Sequence, residues 1–288
     1  MKTICVTGAA GMTGAATVLR LIADGYSVVG ADLVPLPSTL PAQWSLPTFQ
    51  YVRCDLTDYG DTVEILSGVD AVVHLANVPA PGMRPASRTM NVNTAMNSNV
   101  FLAAAQVGLE RVVWSSSETT LGLNFDAVNA PKYLPVDESH SPYPTSTYAL
   151  SKVLAETAAR HLADWSGIPF VGLRLSNVIR PEAYSDFPQA WADPAKRQFN
   201  LWSYIDVDDA AAACSAALTA DIHGADEFII ASPETTMPIP TQELIDRYYP
   251  AVEVRRDLGS HESLLSSRRA RDILGFTPTR SWRDHVSA

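Results

Sequence analysis

A glycine-rich turn between a predicted strand and a predicted helix constrains the fold of this chain more than any other feature. The turn holds Gly8, Gly11 and Gly14, directly after the apolar, β-branched run 3–6 and before a helical pattern that stops near Gly25. Gly8 permits a tight turn, Gly11 lets backbone N–H groups approach a pyrophosphate, and Gly14 lets the helix pack closely on the strand. Because a helix N-terminus carries partial positive charge, it would face the phosphates of a dinucleotide. The pattern predicts a dinucleotide-binding turn, with a plain strand-to-helix turn as the alternative.

An acidic residue at the end of the next predicted strand indicates which dinucleotide is bound. The strand covers residues 26–32 and ends in Asp32, about 20 residues beyond the glycines, where a carboxylate accepts hydrogen bonds from the ribose 2′-hydroxyl. The same carboxylate would repel a 2′-phosphate, and the following Leu33 and Val34 supply no arginine to hold one. The sequence therefore predicts NAD rather than NADP, with an ordinary solvated strand-end carboxylate as the alternative for Asp32.

Net charge and cysteine content exclude several classes of partner and site. The 288 residues carry a formal net charge of −10 and are 47% apolar, which provides an ample core and argues against a nucleic-acid partner. The three scattered cysteines make no disulfide framework and suit a reducing cytoplasm, and the six histidines show no metal-ligand spacing with them. The chain starts in a predicted strand and has no apolar run of about 18 residues. We therefore expect a cytoplasmic protein without a signal peptide, a metal site or a membrane segment.

Strands alternate with helices over the first 175 residues. Further apolar strands are predicted at residues 49–54, 70–76, 111–115 and 169–175, and helices at 57–66, 87–107 and 145–165. Such alternation predicts an α/β fold of the Rossmann type, a doubly wound parallel sheet that binds ligands beyond the carboxyl ends of its strands. Asp55, Ala76 and Asn77 follow strands and are expected on the cofactor side, whereas His74 is expected to pack within its strand.

The remainder of the chain is less regular. The Pro-rich connection 35–47 is too broken for a helix, and residues 124–144 read as a long loop of the kind that is usually functional. We expect residues 1–175 to form an NAD-binding domain to which residues 201–231 return. Residues 176–200 and 232–288 are then expected to form a small C-terminal substrate-binding lobe.

Two groups of side chains with catalytic potential follow the predicted strand at 111–115. The hydroxyls of Ser115, Ser116 and Ser117 lie at its end, on the ligand side of the sheet, although polar strand ends are often only turns. Tyr148 and Lys152 stand four residues apart on one predicted helix and therefore share a face, a spacing that also arises by chance. An ammonium beside a phenol favours the phenolate and lowers the pKa of the phenol, which would suit Tyr148 for proton transfer.

With these motifs the chain resembles the extended short-chain dehydrogenase/reductases, the NAD-dependent epimerase/dehydratase group, over nearly its whole length. The matching motifs, in chain order, are Thr7-Gly8-x-x-Gly11-x-x-Gly14, Asp55-Leu56, His74-Leu75-Ala76, Asn91-Val92, Ser115 to Gly122, Tyr148-x-x-x-Lys152, Arg174-x-x-Asn177, Tyr204 to Asp209, and Leu274-Gly275-Phe276-x-Pro278. Each motif alone is common, but together they are specific for the group.

The resemblance implies roles for particular residues. The residues it implies as catalytic are Ser117, Tyr148 and Lys152. The residues it implies as cofactor-binding are Gly8, Ala10, Gly11, Met12, Asp32, Asp55, Leu56, Leu75, Ala76, Asn91, Tyr148 and Lys152. The residues expected to contact substrate are Ser117, Glu118, Thr119, Arg174 and Asn177. The cofactor implied is NAD, and no metal is implied.

Departures from the pattern of the group bear on the substrate. Arg180 replaces the Gly of the group's Gly-Pro, and only about 25 residues separate Pro181 from Asp206, where nucleotide-sugar enzymes usually have a much longer segment. The compact lobe looks more like that of hexuronate dehydrogenases, whose Ser-Ser-x-x-Thr-Ile-Gly is similar to residues 116–122. Glu118 within this stretch would nevertheless be an unfavourable neighbour for a carboxylate substrate.

We therefore predict an NAD-dependent oxidoreductase that transfers a hydride between NAD and a hydroxyl or keto carbon of a small sugar or sugar-acid-like substrate. Two alternatives stay open: a nucleotide-sugar epimerase or dehydratase that keeps its NAD, and a dinucleotide-sensing protein without turnover. Small residues on the helices near 87–107 and 144–165 resemble those through which family members pair, so a homodimer is expected.

Overall fold

The computed structural model describes residues 1–36, 41–122, 124–126 and 128–286. Positions 37–40 of the predicted connection 35–47 lie outside these residues, as does position 127 of the predicted loop 124–144.

The described residues form short parallel strands separated by helices. The strands are β1 (Thr3–Thr7), β2 (Ser27–Asp32), β3 (Phe49–Arg53), β4 (Ala71–His74), β5 (Arg111–Ser117), β6 (Tyr133–Leu134), β7 (Phe170–Leu175), β8 (Val178–Ile179), β9 (Ile205–Asp206), β10 (Ala225–Ile230) and β11 (Glu253–Val254). The α-helices are α1 (Met12–Ala23), α2 (Tyr59–Leu66), α3 (Ala86–Val107), α4 (Thr147–Ser166), α5 (Pro188–Trp191), α6 (Val207–Thr219) and α7 (Thr241–Tyr248). Short 3₁₀ turns cover Ala42–Ser45, Glu118–Leu121, Pro181–Asp186, Pro194–Asn200 and Trp282–Asp284, and a π-helical turn covers Ala270–Leu274.

The predicted doubly wound sheet is confirmed. Seven parallel strands lie in the order β10–β7–β5–β4–β1–β2–β3. The chain builds outward from β1 to β3, returns to place β4 on the other side of β1, and then builds towards β10. Val6 in β1 pairs with Gly30 on one side and with Val73 on the other. The order reverses between β1 and β4, which is where such sheets open a crevice beyond the carboxyl ends of their strands.

Alternate residues of each strand face two separate hydrophobic cores. Val6 and Val113 pack with α1 and α6 on one face, whereas Cys5 and Val112 pack with α3 and α4 on the other. Because both faces of the sheet are covered, the strands read in the sequence as continuous apolar runs rather than as alternating ones. The two layers of helices hold the strand ends in place, and with them the residues that follow.

Side-chain caps determine where three of the helices begin. Asp58 accepts from the backbone N–H of Asp61, Ser146 from that of Ala149, and Asp206 from that of Asp208. Each cap satisfies a backbone donor that the first helical turn leaves free. The Ser146 cap is the one that matters for the site, because it fixes the first turn of α4, which carries Tyr148.

The predicted loop 124–144 contains a strand that local patterning did not reveal. Strand β6 pairs in parallel with β11, and Val136 bridges to Leu265. Leu134 and Val136 are fully buried with Trp202 and Leu264 in a third apolar core. The C-terminal segment therefore packs on this loop, while β10 returns to the main sheet beside β7. The division into an NAD-binding domain and a substrate lobe remains a prediction.

Candidate active site

The glycine turn forms a cradle in which a side chain would collide with backbone. Gly8 has a φ of +69°, and a Cβ there would lie 2.8 Å from the backbone nitrogen of Ala76. A Cβ on Gly14 would collide with the carbonyl oxygen of Gly8. The backbone N–H of Gly11 closes the turn by donating to the same Gly8 oxygen at 2.9 Å. These contacts bring the start of α1 and the end of β4 together around one small space.

A cavity of about 690 Å³ opens from this cradle beyond the ends of β1 and β4. The predicted cofactor residues that line it are Gly8, Ala10, Gly11, Met12, Asp32, Asp55, Leu56, Leu75 and Ala76. A cradle that tolerates no Cβ, a helix N-terminus and apolar walls together fit a dinucleotide. The pyrophosphate would lie against the turn, and the adenosine half between Asp32 and Leu56.

The carboxylate of Asp32 lies against the glycine turn. Its Oδ2 accepts from the backbone N–H of Ala10 at 3.0 Å, and its Oδ1 from that of Val34 at 3.3 Å. Arg53 on β3 is the register partner of Asp32, and its Nε donates to the Leu33 carbonyl at 3.0 Å. Sequence reasoning missed this arginine, because it comes from the neighbouring strand rather than from the residues after Asp32.

Asn91 does not lie in this cavity, whereas Asn93 supports its wall. Asn91 is exposed on α3 and is absent from the lining, although its neighbour Val92 is part of it. Asn93 is fully buried; its Oδ1 accepts from the Val78 backbone N–H at 2.8 Å and its Nδ2 donates to the Val78 carbonyl at 3.2 Å. Residues two positions apart on a helix face different directions, so Asn91 and Asn93 cannot both point at the cavity. A cofactor contact by Asn91 remains a prediction without structural support.

Tyr148 and Ser117 meet at the end of β5. Tyr148 is buried, with 8% of its surface exposed, and the Ser117 hydroxyl hydrogen-bonds to its phenol. Ser117 Oγ also accepts from the backbone N–H of Thr119 at 3.2 Å and from its hydroxyl at 2.9 Å. Burial raises the pKa of Tyr148 to about 12, and the hydrogen bond from Ser117 only partly opposes that rise.

Lys152 joins the phenol side of the site to the cavity. It is fully buried, and its Nζ donates at 2.6 Å both to Asn77 Oδ1 and to the Ser115 carbonyl oxygen. Asn77 lines the cavity, so the ammonium reaches the edge of the predicted dinucleotide site. Burial lowers the pKa of Lys152 to about 7, and the charge of Glu156 opposes that change.

The expectation that Lys152 lowers the pKa of Tyr148 is wrong for this structure. Lys152 Nζ lies 5.7 Å from the centre of the Tyr148 ring and directs its hydrogen bonds to Asn77 and Ser115. Desolvation is the largest influence on the pKa of each side chain, so the pKa of the phenol rises and that of the ammonium falls. The pair is buried in a site that favours the neutral form of each group.

Arg174, predicted to contact substrate, is held in a buried ion pair. Its Nε and Nη2 each lie 2.9 Å from a carboxylate oxygen of Glu156, and the Ser116 hydroxyl donates to the same carboxylate at 2.6 Å. Its Nη1 has no hydrogen-bond partner among the residues that the structure describes. Glu156 follows Lys152 by one helical turn on α4, so this network lies next to the Tyr148–Lys152 pair on the same helix. Substrate contact by Arg174 remains a prediction.

Glu118 lies on the side of the site that faces the segment 176–200. Asn177 belongs to that segment. Glu118 is 4% exposed and accepts from the Ser176 hydroxyl at 2.5 Å and from Asn200 Nδ2 at 3.3 Å. Asn177 Oδ1 accepts from Arg197 Nη2 at 3.2 Å. Sequence reasoning missed Asn200 because nothing local distinguishes it, whereas Ser176 could have been noted from its place directly after a strand.

The described residues contain no cluster of histidine, cysteine, aspartate and glutamate side chains that could hold a metal ion. Over the same part of the chain, each helix is too short or too polar to cross a membrane.

Comparison with known proteins relates these features to a family. A family model described as the NAD dependent epimerase/dehydratase family matches residues 4–231. The UDP-glucose 4-epimerase of Lacticaseibacillus casei is 28% identical over 321 residues, which covers 96% of this chain and 92% of that protein. The uronate dehydrogenase of Pseudomonas putida is 30% identical over 189 residues, which covers 65% of this chain and 62% of that protein. A solved structure of a short-chain dehydrogenase/reductase superfamily protein from Agrobacterium tumefaciens with bound NAD has a TM-score of 0.73 at 23% identity, covering 98% of this chain and 94% of that one. The matched range includes the glycine cradle, the cavity and the Tyr148–Lys152 pair.

Proposed function

This chain belongs to the NAD-dependent epimerase/dehydratase family, and we propose that it is a dehydrogenase that oxidises a small, free sugar or sugar derivative. NAD dependence is a property of the family. The proposal concerns the outcome of the reaction and the size of the substrate.

The observation that carries the proposal is that Lys152 lies between the dinucleotide cavity and the Tyr148–Ser117 pair. Its ammonium is bound by Asn77 at the cavity edge, and Tyr148, one helical turn earlier, contacts Ser117 at the end of β5. A substrate placed against Ser117 and Tyr148 would therefore meet the inner end of the dinucleotide cavity. This is the arrangement that proton removal beside a nicotinamide requires.

Each residue has a role in this arrangement. The glycine turn would hold the pyrophosphate, Asp32 the adenosine ribose, and Lys152 the ribose next to the reacting carbon. NAD, when bound, supplies the acceptor for the hydride that leaves the substrate carbon. Tyr148 takes the hydroxyl proton, and the Ser117 hydroxyl stabilises the oxygen as its charge changes. Because burial raises the pKa of Tyr148, its proton-accepting form increases with pH, and oxidation should become faster through the alkaline range.

A compact substrate side favours the dehydrogenase over an epimerase. Between Pro181 and Asp206 the chain forms only short elements: the 3₁₀ turns Pro181–Asp186 and Pro194–Asn200, the four-residue helix α5 and the two-residue strand β9. The similarity to a UDP-glucose 4-epimerase over 96% of the chain keeps the epimerase as the second candidate. A sensor without turnover is disfavoured, because Ser117, Tyr148 and Lys152 are all present and lie together.

Cofactor retention and NADH production test the proposal together. The purified chain is passed through a desalting column, its NAD content is measured, and NADH formation is followed with free sugars, sugar acids and nucleotide sugars. We expect NAD to be released and NADH to accumulate with one class of free sugar. Retained NAD with conversion of a nucleotide sugar and no net NADH would instead identify an epimerase.

We also propose that the protein is a cytoplasmic homodimer. The outer surfaces of α3 and α4 carry exposed apolar side chains, with Leu102 44%, Leu154 39% and Trp165 76% exposed. A helix pair with such a surface is suited to packing against a second copy. The three cysteines are buried free thiols, which suits a reducing compartment.

A further inference from the structure

A buried polar cluster lies beside the catalytic strand end and takes no part in the chemistry proposed above. It consists of Glu118, Ser176, Arg197 and Asn200, and is called the Glu118 cluster below. Ser176 and Asn200 both donate hydrogen bonds to the Glu118 carboxylate, at 2.5 and 3.3 Å. Glu118, Ser176 and Asn200 are 4%, 3% and 0% exposed. A buried carboxyl held mainly by neutral donors is unusual enough to require a reason.

The position of the cluster is that of a substrate site. Glu118 directly follows Ser117, and Ser176 directly follows Leu175, the register partner of Ser117 across β5 and β7. The cluster therefore lies at the carboxyl ends of two neighbouring strands, where ligands of such sheets bind. The charge of Glu118 also acts on Tyr148 and raises the pKa of its phenol, so the carboxyl is close to the reacting group.

Backbone strain and unpaired polar atoms on Asn200 and Arg197 support the same conclusion. Leu201 and Trp202, with φ of 57° and 54°, are consecutive non-glycine residues in the left-handed region, and both are fully buried. Such strain destabilises the folded chain and concentrates at functional sites. Within the described residues, Asn200 Oδ1 and Arg197 Nε have no hydrogen-bond partner. The strained turn thus holds Asn200 against Glu118 with an acceptor still free.

The charge of Arg197 acts on Glu118 and on protein acceptors, although its Nε has no hydrogen-bond partner within the described residues. Arg197 is the cation whose charge acts on Glu118, and its Nη2 is already used by Asn177 Oδ1 at 3.2 Å and the Ser203 carbonyl at 3.1 Å. Its guanidinium also lies over the Phe187 ring, 5.3 Å from the ring centre. The nearby Arg174 is paired with Glu156. The Glu118 carboxylate and Asn200 Oδ1 remain as acceptors for hydroxyl groups.

We infer that the Glu118 cluster is the substrate-reading site of this enzyme and that it selects neutral, hydroxyl-bearing sugars over sugar acids. The inference rests on the proposed function and narrows its substrate class. A carboxylate of the substrate close to Glu118 would meet a like charge, and at about 6 Å with an effective dielectric constant of about 20 the repulsion disfavours it by more than about tenfold. A hydroxyl in the same place would donate to Glu118 or to Asn200.

The ionisation of Glu118 makes this selection depend on pH. Burial raises the pKa of Glu118 to about 7, while the hydrogen bonds from Ser176 and Asn200 and the charge of Arg197 oppose that rise. Tyr148 is a titratable group on which the charge of Glu118 acts, and it stays protonated near neutral pH. Selection against an acid should therefore be strong above pH 7 and weak below it.

Matched sugar pairs test the inference. The pairs are D-glucose with D-glucuronate and D-galactose with D-galacturonate; if the screen identifies a different sugar, that sugar and its acid form the pair. At about pH 8, where Glu118 is largely ionised, we expect the wild type to favour the neutral member by about tenfold in kcat/KM, and Glu118→Gln to reduce that ratio to about threefold or less. Glu138→Gln is the matched control, because Glu138 is also partly buried but accepts from the Ile229 backbone N–H at 2.8 Å, outside the cluster. Its ratio should equal that of the wild type.

The pH dependence of the same ratio requires no variant and covers the case in which Glu118→Gln does not fold. Titration of Tyr148 or Lys152 changes the rate of both pair members alike, so it cancels in the ratio. We expect the preference for the neutral sugar to fall severalfold between about pH 8 and about pH 6, as Glu118 takes up its proton. Equal use of both members by the wild type overturns the inference alone, as does a ratio that neither pH nor Glu118→Gln changes. No NADH from any sugar overturns the proposed function itself.

Discussion

At the residue scale, burial sets the pKa values of Tyr148 and Lys152, the two side chains proposed to act in catalysis. The pKa of Tyr148 is raised to about 12 and that of Lys152 lowered to about 7 because each charged form is cut off from water. Their hydrogen bonds then decide what each can do. The phenol of Tyr148 is hydrogen-bonded to Ser117, and the ammonium of Lys152 donates to Asn77 at the cavity edge. The two residues therefore lie on one helix face but have separate partners.

Tyr148→Phe tests the proton-transfer role. The change removes one oxygen and keeps the ring packing, so kcat should fall by about 10²–10⁴ while NAD affinity persists. Lys152→Ala, by contrast, should weaken NAD binding as well as turnover. Steady-state rates and calorimetric titration with NAD measure the two effects. Tyr249→Phe is the control, since Tyr249 is 2% exposed and loses only a hydrogen bond to the Gln198 carbonyl. Near wild-type turnover by Tyr148→Phe would exclude it as the acid/base.

Asp32→Ser tests the basis of cofactor preference. NAD should bind the wild type at least about tenfold more tightly than NADP, because Asp32 repels a 2′-phosphate. Removing that charge leaves Arg53, on the neighbouring strand, as the adjacent cation. NADP affinity should then rise, and it should fall again in the double variant with Arg53→Gln. Dissociation constants from fluorescence titration give the comparison. Equal affinities of the wild type for both dinucleotides would remove the assignment of Asp32 to the ribose.

At the scale of elements, the glycine turn shows why α1 lies where it does. Gly8 combines a left-handed backbone with close approach to the end of β4, and Gly14 brings the first turn of α1 onto Gly8. The backbones of the strand end, the turn and the first turn of α1 are therefore in direct contact. A displacement of α1 would change the cavity and the pyrophosphate position together.

Gly8→Ala and Gly167→Ala separate backbone strain from steric collision. The two glycines have nearly the same φ, +69° and +71°, but a Cβ on Gly167 would meet nothing within 4 Å. Alanine at Gly167 should cost about 1–2 kcal/mol of unfolding free energy from the left-handed conformation alone. Alanine at Gly8 should cost about 1–3 kcal/mol more, from collision with Ala76, and should also abolish NAD binding. Urea unfolding measures both values, and equal losses would show that the close approach to Ala76 is not limiting.

At the scale of the whole molecule, the apolar surface of α3 and α4 predicts the assembly state. Light scattering should give twice the chain mass of 31.1 kDa at micromolar concentration. Leu154→Asp should convert the protein to a monomer, because it places a charge in the proposed interface. Leu46→Asp is the control, since Leu46 is 44% exposed outside these helices. A wild type that is monomeric would contradict the homodimer, and so would a dimer that Leu154→Asp leaves intact.

Much of the fold and the cofactor cavity could be predicted from the chain alone. The glycine spacing, the apolar strands and their alternation with helices are local patterns, because backbone geometry and burial act over a few neighbouring residues. Asp32, Asp55 and Ala76 could be placed for the same reason, since each lies at or just beyond the end of a strand and strand ends share one edge of a parallel sheet. The family resemblance followed from the same motifs.

Tertiary structure decided those features of the site that form only when residues distant in the sequence come together. Arg53 lies on the strand beside Asp32 only through sheet register, and Asn93 rather than Asn91 faces inward only because of the rotation of α3. The pKa values of Tyr148 and Lys152 depend on how deeply both are buried, which their spacing on a helix does not reveal. The Glu118 cluster brings the end of β5 together with Ser176 and Asn200, which are distant in the sequence. Local sequence determines which elements form, whereas desolvation and charge at the site depend on packing among all of them.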